Sequence, residues 1–321
     1  MLNVFVPGAT GLERLAITAG EPLPDNALWL DLYQPSVQEE QQVEHSLGIE
    51  VPSRDEMREI ESSNRLYEEN GALHMTATLV TKLDADQAVS TQVTFILAGT
   101  RLVTSRYADP LPFVRFTAFV QTHPGACTSA SQLLAGLLEA IVNRIADVLE
   151  KIGSDAEAIS ARVFVRRRVR PHDFRLELEQ IGQGGELVSK ARESLVSLSR
   201  LLAFLDQSTD TKLPQESRAS LRTVSRDVVA LSDHATFLGD KVQFLLDATL
   251  GMVTIDQNNI LKIFSVVAVF MLPPSLIGAF YGMNFAYIPW LHERWGVWAA
   301  LGMMAVSAAI PFTYFKRKGW L

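Results

Sequence analysis

Gly282, Met283 and Asn284 come directly after a 19-residue uncharged run, Ile263 to Tyr281. Asn284 sets a carboxamide, polar but without formal charge, at the end of an oily segment. Around an axis shared by several copies of the chain it becomes a ring of neutral oxygens. Such a ring suits a small divalent cation such as Mg2+, which gives up its water reluctantly. The amides can hydrogen-bond the water around the ion. A ring of carboxylates would bind harder and slow release, and conduction needs binding that is not too tight. Gly282 permits a tight backbone turn that exposes carbonyls.

A second feature is acidic. Asp233, Asp240 and Asp247 recur every seven residues, which puts them on one face of a helix. Multiplied by an oligomer, the row would concentrate cations; the solvated face of a coiled coil gives the same spacing. The sequence has no phosphate loop, nucleophile elbow or metal-protease helix, so neither enzyme chemistry nor an organic cofactor is expected. His123 and Cys127 are four residues apart, but His-Pro-Gly is a turn and no second ligand pair is near, whereas a structural zinc site needs four ligands. The net charge of −7 argues against a nucleic-acid partner, which calls for a basic surface. The basic run Arg166, Arg167, Arg168 and Arg170, beside Pro171, reads as a solvated helix end.

Two uncharged runs must position the Asn284 ring. Ile263 to Tyr281 and the 21 residues from Trp295 to Phe315 are each long enough to cross roughly 30 Å of hydrocarbon. Lys262 precedes the first and Lys316, Arg317 and Lys318 follow the second, while the loop between them holds Arg294 with His292 and Glu293. Cationic flanks stay in the cytoplasm. Both termini are therefore expected there, with the loop outside. Tyr287, Trp290 and Trp295 suit the outer interface and Trp320 the inner one. Pro273 and Pro274 inside the first span are tolerated where neighbouring helices or water cover the freed carbonyls. Ser275, Gly278 and Ala279 permit close helix contact.

Upstream, no proline falls between Pro214 and Pro273. Leu221, Val224, Val228, Leu231, Ala235, Leu238, Val242, Leu245, Thr249 and Met252 alternate in steps of three and four, a heptad seam. A helix of that reach would be about 100 Å long at 1.5 Å per residue. A seam so long needs partners, which leads to the expectation of an oligomer. Two further helices are marked by Leu134, Leu138, Ile141, Ile145, Val148 and Ile152, and by Ile181, Val188, Leu195, Leu198, Leu202 and Leu205. The second is loosened by Gly182, Gly184 and Gly185, and Arg170-Pro171 separates the two. Before residue 120 the period shifts toward two, and "LHMTATLVTK", "TQVTFILAGTRLVTSRY" and "FVRFTAF" read as strands with a hairpin at Gly99-Thr100. "SRDE", Ser53 to Glu56, reads as a capping box opening a short helix. A single cysteine, Cys127, fits a reducing compartment, and no cleaved secretory signal is visible.

"YGMN" (Tyr281 to Asn284), "IDQNNILKIFSVVAVFMLPPSLI" before it, "YFKRKGWL" at the terminus, "VPSRDEMREIESSNRLYEENG" and "RYADPLPF" together resemble the CorA family of divalent-cation transporters. The expected class is α+β. An N-terminal cytosolic mixed α/β domain (1–127) leads to antiparallel helices (128–213) and a stalk helix (214–262). Then come a pore-lining span (263–281), an external loop (282–294), a second span (295–315) and a basic tail (316–321). The resemblance implies a funnel-shaped homopentamer in the inner membrane. It also implies passive Mg2+ influx, often with Co2+ and Ni2+, and control by cytosolic Mg2+ at acidic pairs between subunits. Gly282, Met283 and Asn284 would be the selectivity filter. Ala279, Ser275, Leu272, Ala268, Phe264, Leu261, Asn258 and Asp247 would line the pore. Leu272, Phe264 and Leu261 would form rings that close it by dewetting, and Asp247 would meet the ion on the cytosolic side. Asp227, Asp233 and Asp240 are the regulatory candidates. Ala286 and Trp290 stand where many Mg2+-transporting relatives carry acidic residues, leaving Glu293 as the loop's only carboxylate. A Zn2+, Co2+ or Ni2+ transporter on the same scaffold, or a membrane-anchored sensor without a pore, is the alternative.

Overall fold

Seven strands form one mixed sheet in the computed structural model, which describes residues 1–17, 20–59, 61–81, 88–165, 174–208, 213–284, 288–290 and 293–319. Arg166 to Arg168, Arg170 and Pro171 lie outside the described residues, as do Ala286, Tyr287, His292 and Trp320. The strands are β1 (Leu2–Pro7), β2 (Leu12–Ala16), β3 (Trp29–Tyr33), β4 (Leu66–Glu69), β5 (Ala72–Thr81), β6 (Val89–Ala98) and β7 (Arg101–Arg106). Their order is β2-β1-β3-β7-β6-β5-β4, antiparallel except for the parallel β3–β7 pair. Turn chemistry sets the hairpins. Asn70 (φ 50°) and Gly71 (φ 77°) take left-handed backbone between β4 and β5, as a primed two-residue turn requires, and Gly99 (φ 59°) opens the expected turn between β6 and β7.

The helices are α1 (Val37–Leu47), the short α2 (Ser62–Arg65), α3 (Leu111–Thr122), α4 (Ala130–Val165), α5 (Arg175–Ser208), α6 (Gln215–Tyr281) and α7 (Gly296–Arg317). Alternate strand residues bury on opposite faces of the sheet. Trp29, Met75, Phe95 and Leu102 share a core with α3, α4 and α5, while Leu30, Ile96 and Val103 meet Val43 of α1. The chain divides into two compact units, Met1–Leu246 and Asp247–Leu321.

Three expectations are corrected. "FVRFTAF" is not a strand but the body of α3. Phe113, Phe116 and Val120 bury at helical spacing while Val114 and Phe119 are exposed, and Pro110 and Pro112 fit a helix entrance. The Ser53–Glu56 box makes both of its reciprocal bonds, at 2.8 and 3.4 Å, but opens only a 3-10 turn, Glu56–Arg58. The heptad seam of α6 does not require partner chains over its first unit. Leu221, Val224, Val228, Ala235 and Leu238 are buried with α4 and α5 of the same chain. Glycines allow the close approach: a Cβ on Gly153 would lie 3.6 Å from Leu238, and one on Gly239 3.6 Å from Val188. Ser217 meets Ser131 of α4 at 2.9 Å. Gly182, Gly184 and Gly185 leave α5 unbroken.

A buried ion pair ties the sheet to α3. Arg106 on β7 donates Nε and Nη2 to the two carboxylate oxygens of Asp31 on β3, each at 2.9 Å. Its guanidinium also bonds Asp109 and lies 4.7 Å from the Tyr33 ring centre and 4.8 Å from that of Phe113. Asp31 in turn accepts from Thr104 Oγ1 at 2.8 Å and Asn3 Nδ2 at 3.2 Å, and Thr104 accepts from Trp29 Nε1 at 3.0 Å. Burial disfavours the Arg106 charge, yet Asp31 and Asp109 more than offset it and hold its pKa above the usual value. Removing one partner strands the other charge in the core. Asp31→Ala is expected to cost about 3–5 kcal/mol of stability, read as a lowered unfolding midpoint of the purified chain in detergent.

His74 on β5 is 1 % exposed and stacks on Tyr67 at 4.6 Å, and neither ring nitrogen has a hydrogen-bond partner among the described residues. Burial pushes its pKa below the ordinary value, against a weaker upward pull from Glu69. The unfolded chain takes up this proton near pH 6.5, which the folded chain resists, so stability falls as pH drops from there toward the depressed folded value. Unfolding midpoints measured from pH 7.5 to 5 should fall less steeply for His74→Phe than for the unmodified chain.

Candidate functional site

α6 and α7 carry the two apolar runs as continuous helices. A core helix of that composition would be mostly buried; here 6 % of the most apolar 18-residue window of α6 and 11 % of that of α7 are buried within the chain. Pro273 and Pro274 lie inside α6, and Pro311 inside α7, without ending the helix. Pro273 and Pro274 remove the amides that would bond the Val269 and Phe270 carbonyls.

At 3.6 residues per turn Asp247, Asn258, Leu261, Phe264, Ala268, Leu272, Ser275 and Ala279 fall within an arc of roughly 120°. All eight are exposed, with Leu261 at 62 %, Phe264 at 68 % and Leu272 at 65 %. The opposite side of α6 holds buried Val266 and half-buried Pro273 and Ile277. Gly278, about 100° around the helix from the middle of that arc, comes so close to α7 that a Cβ would lie 3.3 Å from Met304 Cε. The expected small-residue contact is thus made by Gly278, while Ser275 and Ala279 belong to the exposed arc. Ser275 turns its hydroxyl back to the Met271 carbonyl at 2.7 Å, as Ser265 does to Leu261 at 2.8 Å.

Gly282, Met283 and Asn284 end this helix and are exposed. Gly282 N still donates to Gly278 O at 3.0 Å, and the next bond, Met283 N to Phe280 O at 3.3 Å, tightens to a three-residue span. Gly282 is not in left-handed backbone, and a Cβ there would lie 3.2 Å from the Gly278 carbonyl and 3.5 Å from that of Ala279, both in the preceding turn of its own helix. Asp227, Asp233 and Asp240 are exposed on α6 in the first unit. Among the described residues, no three His, Cys, Asp or Glu side chains gather to hold a metal.

One feature of the loop between α6 and α7 is invisible in the sequence pattern. Trp290, φ 63°, is in left-handed backbone, and its carbonyl lies where a Cβ on Gly296 would have to sit. Glu293 N donates to Trp290 O at 3.3 Å, Gly296 N to Glu293 O at 3.0 Å, and the Trp290 and Trp295 ring centres are 5.5 Å apart. A glycine at the head of a helix is too common to announce such a contact.

The family model for the CorA-like Mg2+ transporter protein matches residues 24–317. The chain belongs to this family. It is 34 % identical over 321 residues to the magnesium transport protein CorA of Pasteurella multocida (strain Pm70), and 34 % identical over 325 residues to that of Escherichia coli (strain K12), covering 100 % of both chains in each case. The complete structure of the CorA magnesium transporter from Methanocaldococcus jannaschii superposes with a TM-score of 0.79 at 20 % identity, over 100 % of this chain and 99 % of that one. The expected α+β class, with a long helix running into the first of two apolar C-terminal helices, is the fold found. CorA-family chains are transporters of Mg2+, and with its two apolar helices this chain is a two-pass membrane protein.

A Cβ at Gly282 would meet the preceding turn of its own helix, with one carbonyl at 3.2 Å. Gly282→Ala should shift this turn by a few tenths of an ångström and lower the initial rate of Mg2+ uptake into vesicles by up to about tenfold, the scale on which small misplacements act at functional centres. Ser275→Ala, whose hydroxyl only back-bonds its own helix, should stay within about twofold of the unmodified rate.

Proposed function

We propose that this chain assembles as a homopentamer in the inner membrane, both termini cytoplasmic, and conducts Mg2+ passively into the cytoplasm. Co2+ and Ni2+ would be accepted as well. The observation that carries this reading is the exposed arc of α6. It leads to Gly282, Met283 and Asn284, with the Gly278–Met304 contact on its flank. Five copies turning that arc inward enclose a path walled by Leu261, Phe264 and Leu272 and crowned by five carboxamides.

At the outer end the Asn284 ring holds the ion through its water, since Mg2+ dehydrates reluctantly. The rings of Leu272, Phe264 and Leu261 close the path by dewetting when narrow and pass a hydrated ion when wide. On the cytosolic side the ion meets Asn258 and then Asp247. The membrane potential drives it: a divalent ion gains about 4.6 kcal/mol per 100 mV, twice the single-charge value. Lys316 and Arg317 in the last turn of α7, with Lys318, support the orientation. Cytosolic Mg2+ bridging Asp227, Asp233 or Asp240 between subunits would favour the closed state and limit uptake.

The test is uptake by the purified chain in proteoliposomes under an imposed potential, with Mg2+, Zn2+, Co2+ and Ni2+ in competition. Potential-driven Mg2+ uptake should appear and should fall at least about a hundredfold in Asn284→Ala, as loss of a filter contact demands. A Zn2+ preference would move the reading to that cation, and background flux in both forms would leave a membrane-anchored protein without a pore.

A further inference from the structure

We infer that a cavity between α4 and α5 binds a small zwitterion with an apolar body, the chemistry of a free apolar amino acid. The cavity lies wholly in the first unit, and the inference is independent of the transport reading above.

The cavity is about 360 Å3, within the range of roughly 300–1,000 Å3 that small-molecule sites occupy. Its floor is apolar: Val148, Ile152, Ile159 and Ile181 are all buried. Arg162 and Gln180 line it as well and are bonded to each other, and Arg162 Nε is held 3.3 Å from a carboxylate oxygen of buried Glu177. That part of the wall is built from fixed polar groups.

Gly184 accounts for the space. A glycine inside a helix costs stability and calls for a packing or functional reason. Gly153 and Gly239 each have a side chain 3.6 Å from where a Cβ would sit, and Gly185 has one at 3.5 Å. A Cβ on Gly184 would meet nothing within 4 Å, and Gly184 lines the cavity. The missing side chain clears room for something other than a neighbouring helix.

The charges say what that something carries. Asp147, Lys151 and Asp155 of α4 line the cavity on successive turns of one face and are exposed. None of the three makes a hydrogen bond or ion pair among the described residues. A plain anion there would face the two carboxylates, and a plain cation would face the ammonium. A molecule with an ammonium and a carboxylate on one carbon meets both signs. Its ammonium donates to Asp147 or Asp155 and its carboxylate accepts from Lys151, as charge-assisted hydrogen bonds. Its side chain lies over the valine and isoleucines of the floor, out of water.

The test is calorimetric titration of the purified chain in lipid nanodiscs, with empty nanodiscs as the blank. Phenylalanine, phenethylamine and 3-phenylpropionate present a zwitterion, a cation and an anion on one apolar body. Phenylalanine should bind at least about tenfold more tightly than either of the others, the factor that one lost charged hydrogen bond removes. Gly184→Leu should abolish the binding by filling the cavity while holding or raising the unfolding midpoint, since leucine is the better helix former. Lys151→Gln should weaken phenylalanine about tenfold by the same arithmetic and should not weaken phenethylamine. The proposal is overturned if the unmodified chain shows no saturable binding of phenylalanine, if the three probes bind alike, or if the Gly184→Leu chain still binds. Should Gly184→Leu instead lower the unfolding midpoint, Lys151→Gln decides, and an unchanged phenylalanine affinity in that variant overturns the proposal too.

Discussion

The geometry of one α-helix constrains everything else in this chain. Positions three, four and seven apart share a face, and α6 uses that rule under two different solvents. In its first unit the heptad positions turn inward onto α4 and α5, with Gly153 and Gly239 clearing the way. In the second unit the burial is slight: α6 approaches α7 at Gly278, and most of its apolar side chains are exposed. A globular protein does not leave Leu261, Phe264 and Leu272 about two-thirds exposed along 12 residues of one face without a medium or a partner to cover them.

The first unit answers a different demand. A seven-stranded sheet covered on both faces must satisfy its few interior polar groups from within. Asp31 and Arg106 do so by gathering Thr104, Asn3, Trp29 and Asp109 into one network at the parallel β3–β7 seam. The two aromatic rings around the guanidinium place the start of α3 as well as the sheet. A charge, a strand pairing and a helix start coincide at this junction.

Much of the fold was legible because it is periodic. The seams of α4, α5 and α6, the two apolar runs and the Gly99 turn all follow from spacing or from residues with one dominant backbone habit. What was misread had a short or ambiguous period. The seven residues Phe113 to Phe119 fit two periods, and only the burial of Phe113, Phe116 and Val120 decides for a helix. Spacing also identified the α6 seam without saying who fills it, and for its first unit the answer was the same chain. The Asp31–Arg106 pair was out of reach because its members are 75 residues apart. At the candidate site the arc of α6 and its Gly-Met-Asn end were visible from spacing and family resemblance. The left-handed backbone at Trp290 exists only in three dimensions.

The serines of α6 have one more consequence. Ser265 and Ser275 each donate their hydroxyl hydrogen to a carbonyl one turn back, which leaves the oxygen lone pairs as the part of each hydroxyl still able to bond: what covers this stretch of α6 meets acceptors there, not donors.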